Sequence, residues 1–288
     1  SYSYGPKGNI LTSPAGSYFY AGSSGSSYAN SQAATSVGAR TFGYDKNGNL
    51  LTDVGGSVPL TNTWNYRNEL ANTIINIPGK RKNITYGYDG SGMRISLRER
   101  TASTTVNTVF PTPSYSETTA ADGSVERTVS LSVAGLPVAS IRTIGTGQPE
   151  IYATHSDHLR SSRLSTDSTG SIVESTDYDP FGKITSNQKT GTFSERRKFT
   201  SHEFDSSTNY TYAKARYLET NIGRFLSQDP AFIYNPEKFL EDPQQLNSYS
   251  YARNNPIRFV DPTGETIEDR ILGGILTVGT APLVFLMM

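Results

Sequence analysis

The sequence predicts an all-β chain, built from stacked β-hairpins in a curved, spiralling sheet. Three observations carry that prediction. Eighteen tyrosines and twelve phenylalanines are spread among Ser, Thr and 26 glycines, a composition of strands broken by tight turns. A tyrosine followed four residues later by glycine recurs along the chain. Between these turns, apolar and polar residues alternate with a period of two.

The recurring step appears first at Tyr4/Gly8, ahead of Asn-Ile-Leu-Thr-Ser. It returns as Tyr44-Asp45 with Gly48, Tyr88-Asp89 with Gly92, and Tyr178-Asp179 with Gly182. A degraded copy starts at Tyr66, which sets tyrosines at 44, 66 and 88, two equal intervals of 22. Asp-x-x-Gly itself occurs at 45–48, 53–56, 89–92, 167–170, 179–182 and 261–264. In a type I turn an aspartate accepts from nearby backbone N–H groups, and the glycine supplies the positive φ that closes a hairpin.

The flanks read as strands. Ile84, Tyr86 and Tyr88 share a face, and Met93, Ile95 and Leu97 share one opposite Arg94, Ser96 and Arg98. Further on, Val125, Val129, Leu131 and Val133 stand opposite Glu126, Thr128, Ser130 and Ser132. Each unit is a hairpin of about 20 residues that must stack on its neighbours to bury its apolar face. Residues 1–150 therefore read as a hairpin strip, 151–264 as a denser motif region, and 265–288 as a tail. No helix-period segment of useful length precedes the last 25 residues.

Charge and composition narrow the function. Lys plus Arg and Asp plus Glu number 26 each, so no net field favours nucleic acid or an anionic membrane. The chain has no cysteine and three histidines, which argues against thiolate or histidine-rich metal sites, and no cofactor is expected. His155 and His158, three apart, mimic a ligand spacing, but in a strand an odd separation sends the rings to opposite faces. The chain begins at Ser1 and shows no signal peptide, as a fragment or processed product would. Residues 271–288 carry no charge and are the only candidate for a membrane span. The favoured reading of this tail is the truncated start of a further C-terminal region.

Longer motifs carry a resemblance. His155–Gly182, Lys198–Pro230, with Phe199-Thr200, Ala215-Arg216-Tyr217 and Gly223-Arg224-Phe225, and Leu246–Gly264 resemble the RHS, or YD-repeat, family and its RHS repeat-associated core. That family includes polymorphic-toxin shells, Tc-toxin shell subunits and teneurins. The resemblance implies a β-strip wound into a hollow cocoon with the core domain plugging one end. It also implies that toxin members enclose their own C-terminal effector, and that many release it by an aspartyl-protease-like cut. By this resemblance the partners are the chain's own N-terminal shell and C-terminal effector, and the location is secreted or cell-surface.

Asp229-Pro230 and Asp261-Pro262 match the Asp-Pro pairs of the family's closing block. Two neighbouring carboxylates that share one proton can act as base and acid towards water. Asp229 and Asp261 are thus the catalytic candidates and Arg224 the candidate cation, and the resemblance implies a cut one residue past the final glycine, at Glu265–Thr266. The competing reading makes both aspartates turn residues, as Asp179-Pro180 and Asp242-Pro243 suggest. Phe232 and Glu265 depart from the family pattern, and the interval between the two pairs is longer than usual, around an apparent inserted loop "IYNPEKFLEDPQQ".

Three functions follow. The leading one is a structural shell and plug that encloses or presents an effector. The second is a self-cleaving aspartyl enzyme. The third is an adhesion or glycan-binding module using Trp64 and the tyrosines, although period-two placement favours stacking of those rings between strands. At about 11 residues per strand and turn, the chain yields about 24 strands and a ring about 37 Å across, too narrow for a globular effector.

Overall fold

A computed structural model describes residues 1–23, 28–234, 246–265 and 267–270, together with Glu237 and Gln244. Eighteen strands form one antiparallel meander. The first six are β1 (Ser3–Tyr4), β2 (Ile10–Ser13), β3 (Gly16–Phe19), β4 (Ser36–Val37), β5 (Arg40–Tyr44) and β6 (Leu50–Val54). Then come β7 (Leu60–Trp64), β8 (Leu70–Ile75), β9 (Lys82–Tyr88), β10 (Arg94–Arg100), β11 (Thr105–Thr112) and β12 (Tyr115–Thr119). The strip ends with β13 (Val125–Val133), β14 (Leu136–Ile144), β15 (Glu150–Ser156), β16 (Ser162–Thr166), β17 (Ile172–Tyr178) and β18 (Ile184–Lys189). Each strand pairs with its neighbour in sequence, and the sheet does not close on itself among the described residues. It passes position 150 unbroken, with Ala139 opposite Ala153.

The turns show why these residues fold this way. Gly48 donates its N–H to the Asp45 carbonyl at 3.0 Å, while Asp45 Oδ1 accepts from the N–H groups of Asn47 and Asn49 at 2.9 and 2.8 Å. The same pattern holds at Asp89, Asp167 and Asp179. It also holds at Asn65 and Asp157, where Asn68 and Arg160 take the left-handed position with φ of 59° and 69°. Asp53 departs from it: the residue lies inside β6, fully buried and ion-paired to Arg40.

Hairpins on one rim are tied together by the aromatic residue that precedes each turn. Trp64 Nε1 donates to the Leu50 carbonyl at 2.9 Å, Tyr88 Oη to Leu70 at 2.9 Å, and Tyr178 Oη to Ser162 at 2.8 Å. Each acceptor opens the second strand of the preceding hairpin on that rim. The repeat unit is therefore aromatic-Asx, and its copy between 44 and 88 is Trp64-Asn65. Tyr66 sits at the turn tip, 92 % exposed, so the equal spacing of Tyr44, Tyr66 and Tyr88 has no structural counterpart.

Two alternations also resolve differently from the sequence pattern. A bulge between Arg94 and Ser96 shifts the register of β10, so that Arg94 and Leu97 both point inward and Ile95 outward. In β11–β14 the inward face is mostly polar: Thr108, Ser116, Thr128 and Ser140 are buried beside Phe110, while Leu131 and Val133 are 42 % and 66 % exposed. The strip's main apolar lining comes from Ile10, Val37, Phe42, Leu50, Leu70 and Ile84.

That apolar stretch wraps a plug. The plug comprises β19 (Glu203–Asp205), β20 (Tyr210–Tyr212), β21 (Tyr217–Glu219) and β22 (Arg224–Phe225), the short helix α1 (Pro230–Tyr234), and the pair β23 (Phe259–Val260) and β24 (Glu268–Asp269). One hydrophobic core joins strip and plug: Tyr210, Tyr217, Leu218, Phe225 and Tyr251 pack with Leu50, Leu70 and Tyr86. Polar ties reinforce it. Leu50 N–H donates to the Leu226 carbonyl at 2.8 Å, Asn62 Nδ2 to Tyr210 Oη at 3.3 Å, and Tyr249 Oη to the Gly48 carbonyl at 2.7 Å. Arg40 bridges Asp53 of the strip and Glu219 of the plug, the latter at 2.8 Å. Inside this stretch the strip is filled by the chain's own tyrosines, with Leu218 and Phe225, rather than left as a hollow ring.

Candidate functional site at the plug

The plug seals the rim that carries the aromatic-Asx turns. Gln228 Nε2 donates to the Asn47 carbonyl, Arg224 Nη2 to Gly8, and the Phe199 ring lies against Gly182. At this rim the chain's closing motif brings Asp229 and Asp261 together on a single nitrogen. Arg216 Nη2 lies 2.8 Å from Asp229 Oδ2 and 3.0 Å from Asp261 Oδ2. Arg216 and Asp261 side chains are each 2 % exposed, and Asp229 14 %.

The rest of the guanidinium is also engaged. Nη1 donates to the Ser248 carbonyl at 3.1 Å, Nε donates to the Gly264 carbonyl, and the Phe225 ring lies 3.7 Å below the guanidinium carbon. Asp229 N–H donates to Ser248 O at 3.0 Å, and its Oδ1 accepts from Ala231 N–H at 2.9 Å, which caps α1. Burial raises the Asp229 carboxyl above the usual carboxylate range against the opposing pull of Arg216. His202 Nε2 meets the Asp261 carbonyl at 2.9 Å.

Gly264 is pinned here. Its φ is +78°, and a Cβ would come within 2.5 Å of the Ala213 carbonyl and 3.0 Å of Arg216 N. Glu265 follows on the exposed side, its N–H donating to Thr263 Oγ1 at 3.3 Å. Thr266 lies outside the described residues, as do Asp242-Pro243, most of the expected inserted loop and the apolar tail 271–288. Among the described residues no helix is long and apolar enough to cross a membrane.

Two site expectations are corrected in part. Arg224 is not the cation of the pair: it serves Gly8, Tyr20 and Asn254 at the N-terminal hairpin. Arg216 takes that place. Its motif was visible in sequence, but no local pattern ranks it above Arg224, because its partners come from 13 and 45 residues away. Asp261, though part of an Asp-x-x-Gly, turns its carboxylate to Arg216. His155 contacts Thr166 Oγ1 from β15, whereas His158 lies beyond the strand, in the Asp157 turn, and contacts the Ile257 carbonyl.

A β-strip with one rim sealed by the chain's own C-terminal block defines a shell-type module. Residues 144–257 match the Teneurin YD-shell family model, and the chain is a relative of the RHS, or YD-repeat, proteins. It is 29 % identical over 238 residues to the tRNA3(Ser)-specific nuclease WapA of Bacillus spizizenii, covering 81 % of this chain and 9 % of that protein. It is 26 % identical over 219 residues to Toxin subunit YenC2 of Yersinia entomophaga, covering 70 % and 22 %. The crystal structure of TcdB2-TccC3 superposes with a TM-score of 0.61 at 19 % identity, covering 92 % of this chain and 16 % of that one. The chain therefore spans a small part of the relatives it matches, and the part is a shell-type module of the kind found in toxin proteins.

Proposed function

We propose that this chain is the closing end of an effector-bearing YD-repeat shell, at the bacterial toxin's extracellular or cell-surface stage. In this reading residues 1–150 build the wall, 151–264 carry the last wall strands and the plug, and 265–288 begin the C-terminal effector region. The partners are further wall upstream and that effector segment. The observation that carries the reading is the sealed rim, with Gly264 pinned by Arg216 just ahead of the last plug strand, β24. The test is limited proteolysis of the native reading frame with its flanking segments. The part beyond Gly264 should resist digestion within the whole protein and be cut when isolated. Equal digestion in both settings rejects the reading.

A second reading rests on the Asp229–Arg216–Asp261 contact one residue from Glu265. Here one carboxylate, protonated, polarises the Glu265 carbonyl while the other takes a proton from the attacking water, and the bond to Thr266 breaks. Asp229, lifted by burial, is the suited acid. Mass spectrometry of the effector-bearing chain should find a break after Glu265 that Asp229→Asn and Asp261→Asn abolish. An intact chain excludes this chemistry.

A further inference from the structure

Between the turn rim and the plug lies a cavity of about 340 Å³ that neither reading uses. Phe110, Met93, Tyr212 and Val260 give it apolar walls. Its charged lining is almost all of one sign: Arg94, Arg160, Arg197, Lys214 and Arg270 border it, with Glu203 as the single carboxylate among the described lining residues.

That positive charge is only partly balanced. Arg94 is paired with Asp205 at 2.6 Å and Arg270 with Glu268 at 2.7 Å. Glu203 is divided between Arg196 at 3.2 Å and Arg197 at 3.8 Å. The side chains of Arg160 and Lys214 form no hydrogen bond or ion pair among the described residues. Burial and the neighbouring Arg270 press on Arg160, as burial and Arg197 press on Lys214, with Asp261 and Glu268 offering only longer-range relief.

The backbone points the same way. The fourth residue of the Asx turns is glycine at 48, 92, 170 and 182 and asparagine at 68, whereas at the turn bordering this cavity it is the long, charged Arg160, with φ of 69°. Lys214 sits in the same left-handed region at 66°. Side chains there are disfavoured by about 1 kcal/mol relative to glycine. Two unpaired cations held at such positions, both bordering one apolar cavity, fit a site whose occupant brings the missing negative charge.

We propose that this cavity binds a small organic anion, a carboxylate on an apolar body. The carboxylate meets Arg160 and Lys214, and the body packs against Phe110 and Tyr212. An apolar pocket with a few convergent polar groups is the usual form of a small-molecule site, and the arginine fork matches a carboxylate.

Calorimetric titration of the full chain with 1-naphthoate and with the neutral 1-naphthalenemethanol tests this. The naphthoate should bind at least about tenfold more tightly, an advantage that shrinks as salt is raised. Arg160→Gly and Lys214→Gly should each weaken naphthoate by about tenfold while leaving the alcohol unchanged. Both variants should keep or raise the melting temperature, since glycine adopts these φ values freely, so the loss cannot be blamed on unfolding. No binding, equal affinity for the two probes, or unchanged naphthoate affinity in both variants overturns the proposal.

Discussion

Arg94 and Asp205 meet at 2.6 Å across 111 residues of chain, with their side chains 1 % and 4 % exposed. The pair links β10 of the strip to β19 of the plug, and Arg94 also lies 4.4 Å over the Tyr212 ring. Removing one partner strands a buried charge. Asp205→Leu should lower unfolding free energy by about 3–5 kcal/mol, and the double variant Arg94→Met with Asp205→Leu should recover much of it. Urea melts of the two variants measure this; equal destabilisation would show the charge pair is not what matters there.

The hydroxyl of Tyr178 ties two hairpins by donating to the Ser162 carbonyl at 2.8 Å. Tyr178→Phe removes the donor and keeps the ring, and should lower stability by about 1 kcal/mol. Tyr66→Ala, at a residue 92 % exposed, should change it by less than about 0.5 kcal/mol. The contrast separates the aromatic-Asx unit from mere tyrosine spacing.

Gly182 and Gly170 occupy the same place in two turns, with φ of +89° and +83°. A Cβ at Gly170 meets nothing within 4 Å, whereas at Gly182 it would overlap the Phe199 ring. Gly170→Ala should cost about 1–2 kcal/mol, the left-handed penalty alone. Gly182→Ala should cost at least about 2 kcal/mol more, because the plug must shift. Thermal unfolding of the two proteins side by side gives the difference.

His202 is buried, and burial lowers its pKa to about 4, against which its contact with the Asp261 carbonyl pulls only weakly. In the unfolded chain the ring takes a proton below about pH 6.5. The unfolded state therefore binds more protons between pH 6.5 and 4, and stability falls as pH drops through that window by about 1.4 kcal/mol per unit. The loss is complete near the folded value and flat below it. His202→Gln should flatten the curve between pH 6.5 and 4; an unchanged slope would assign it to other groups.

The turns were legible because they are local. Asp45, Asp89, Asp167 and Asp179 accept from N–H groups two and four residues on, and glycine alone takes the left-handed position without strain. Nothing beyond five residues is needed to write that pattern. Spacing alone points to Tyr66, but chemistry makes Trp64 the copy: indole N–H and phenol O–H both reach a carbonyl, and Asn substitutes for Asp. In β10 and β13 alternation located the strands but not their inward faces. A bulge resets parity without leaving a mark in composition, and a strongly curved strip can bury threonine and serine on its inner side.

By itself, then, the sequence determined a strip of antiparallel hairpins, since hydrogen bonds between residues close in the chain settle both turn and pairing. The tertiary structure decided what lies inside that strip and which arginine holds Asp229 and Asp261. Those contacts join residues tens to hundreds of positions apart, and a buried guanidinium takes whichever carboxylates the finished packing brings to it. Arg216 and Arg224 are eight residues apart and chemically the same. Only the closed plug distinguishes them.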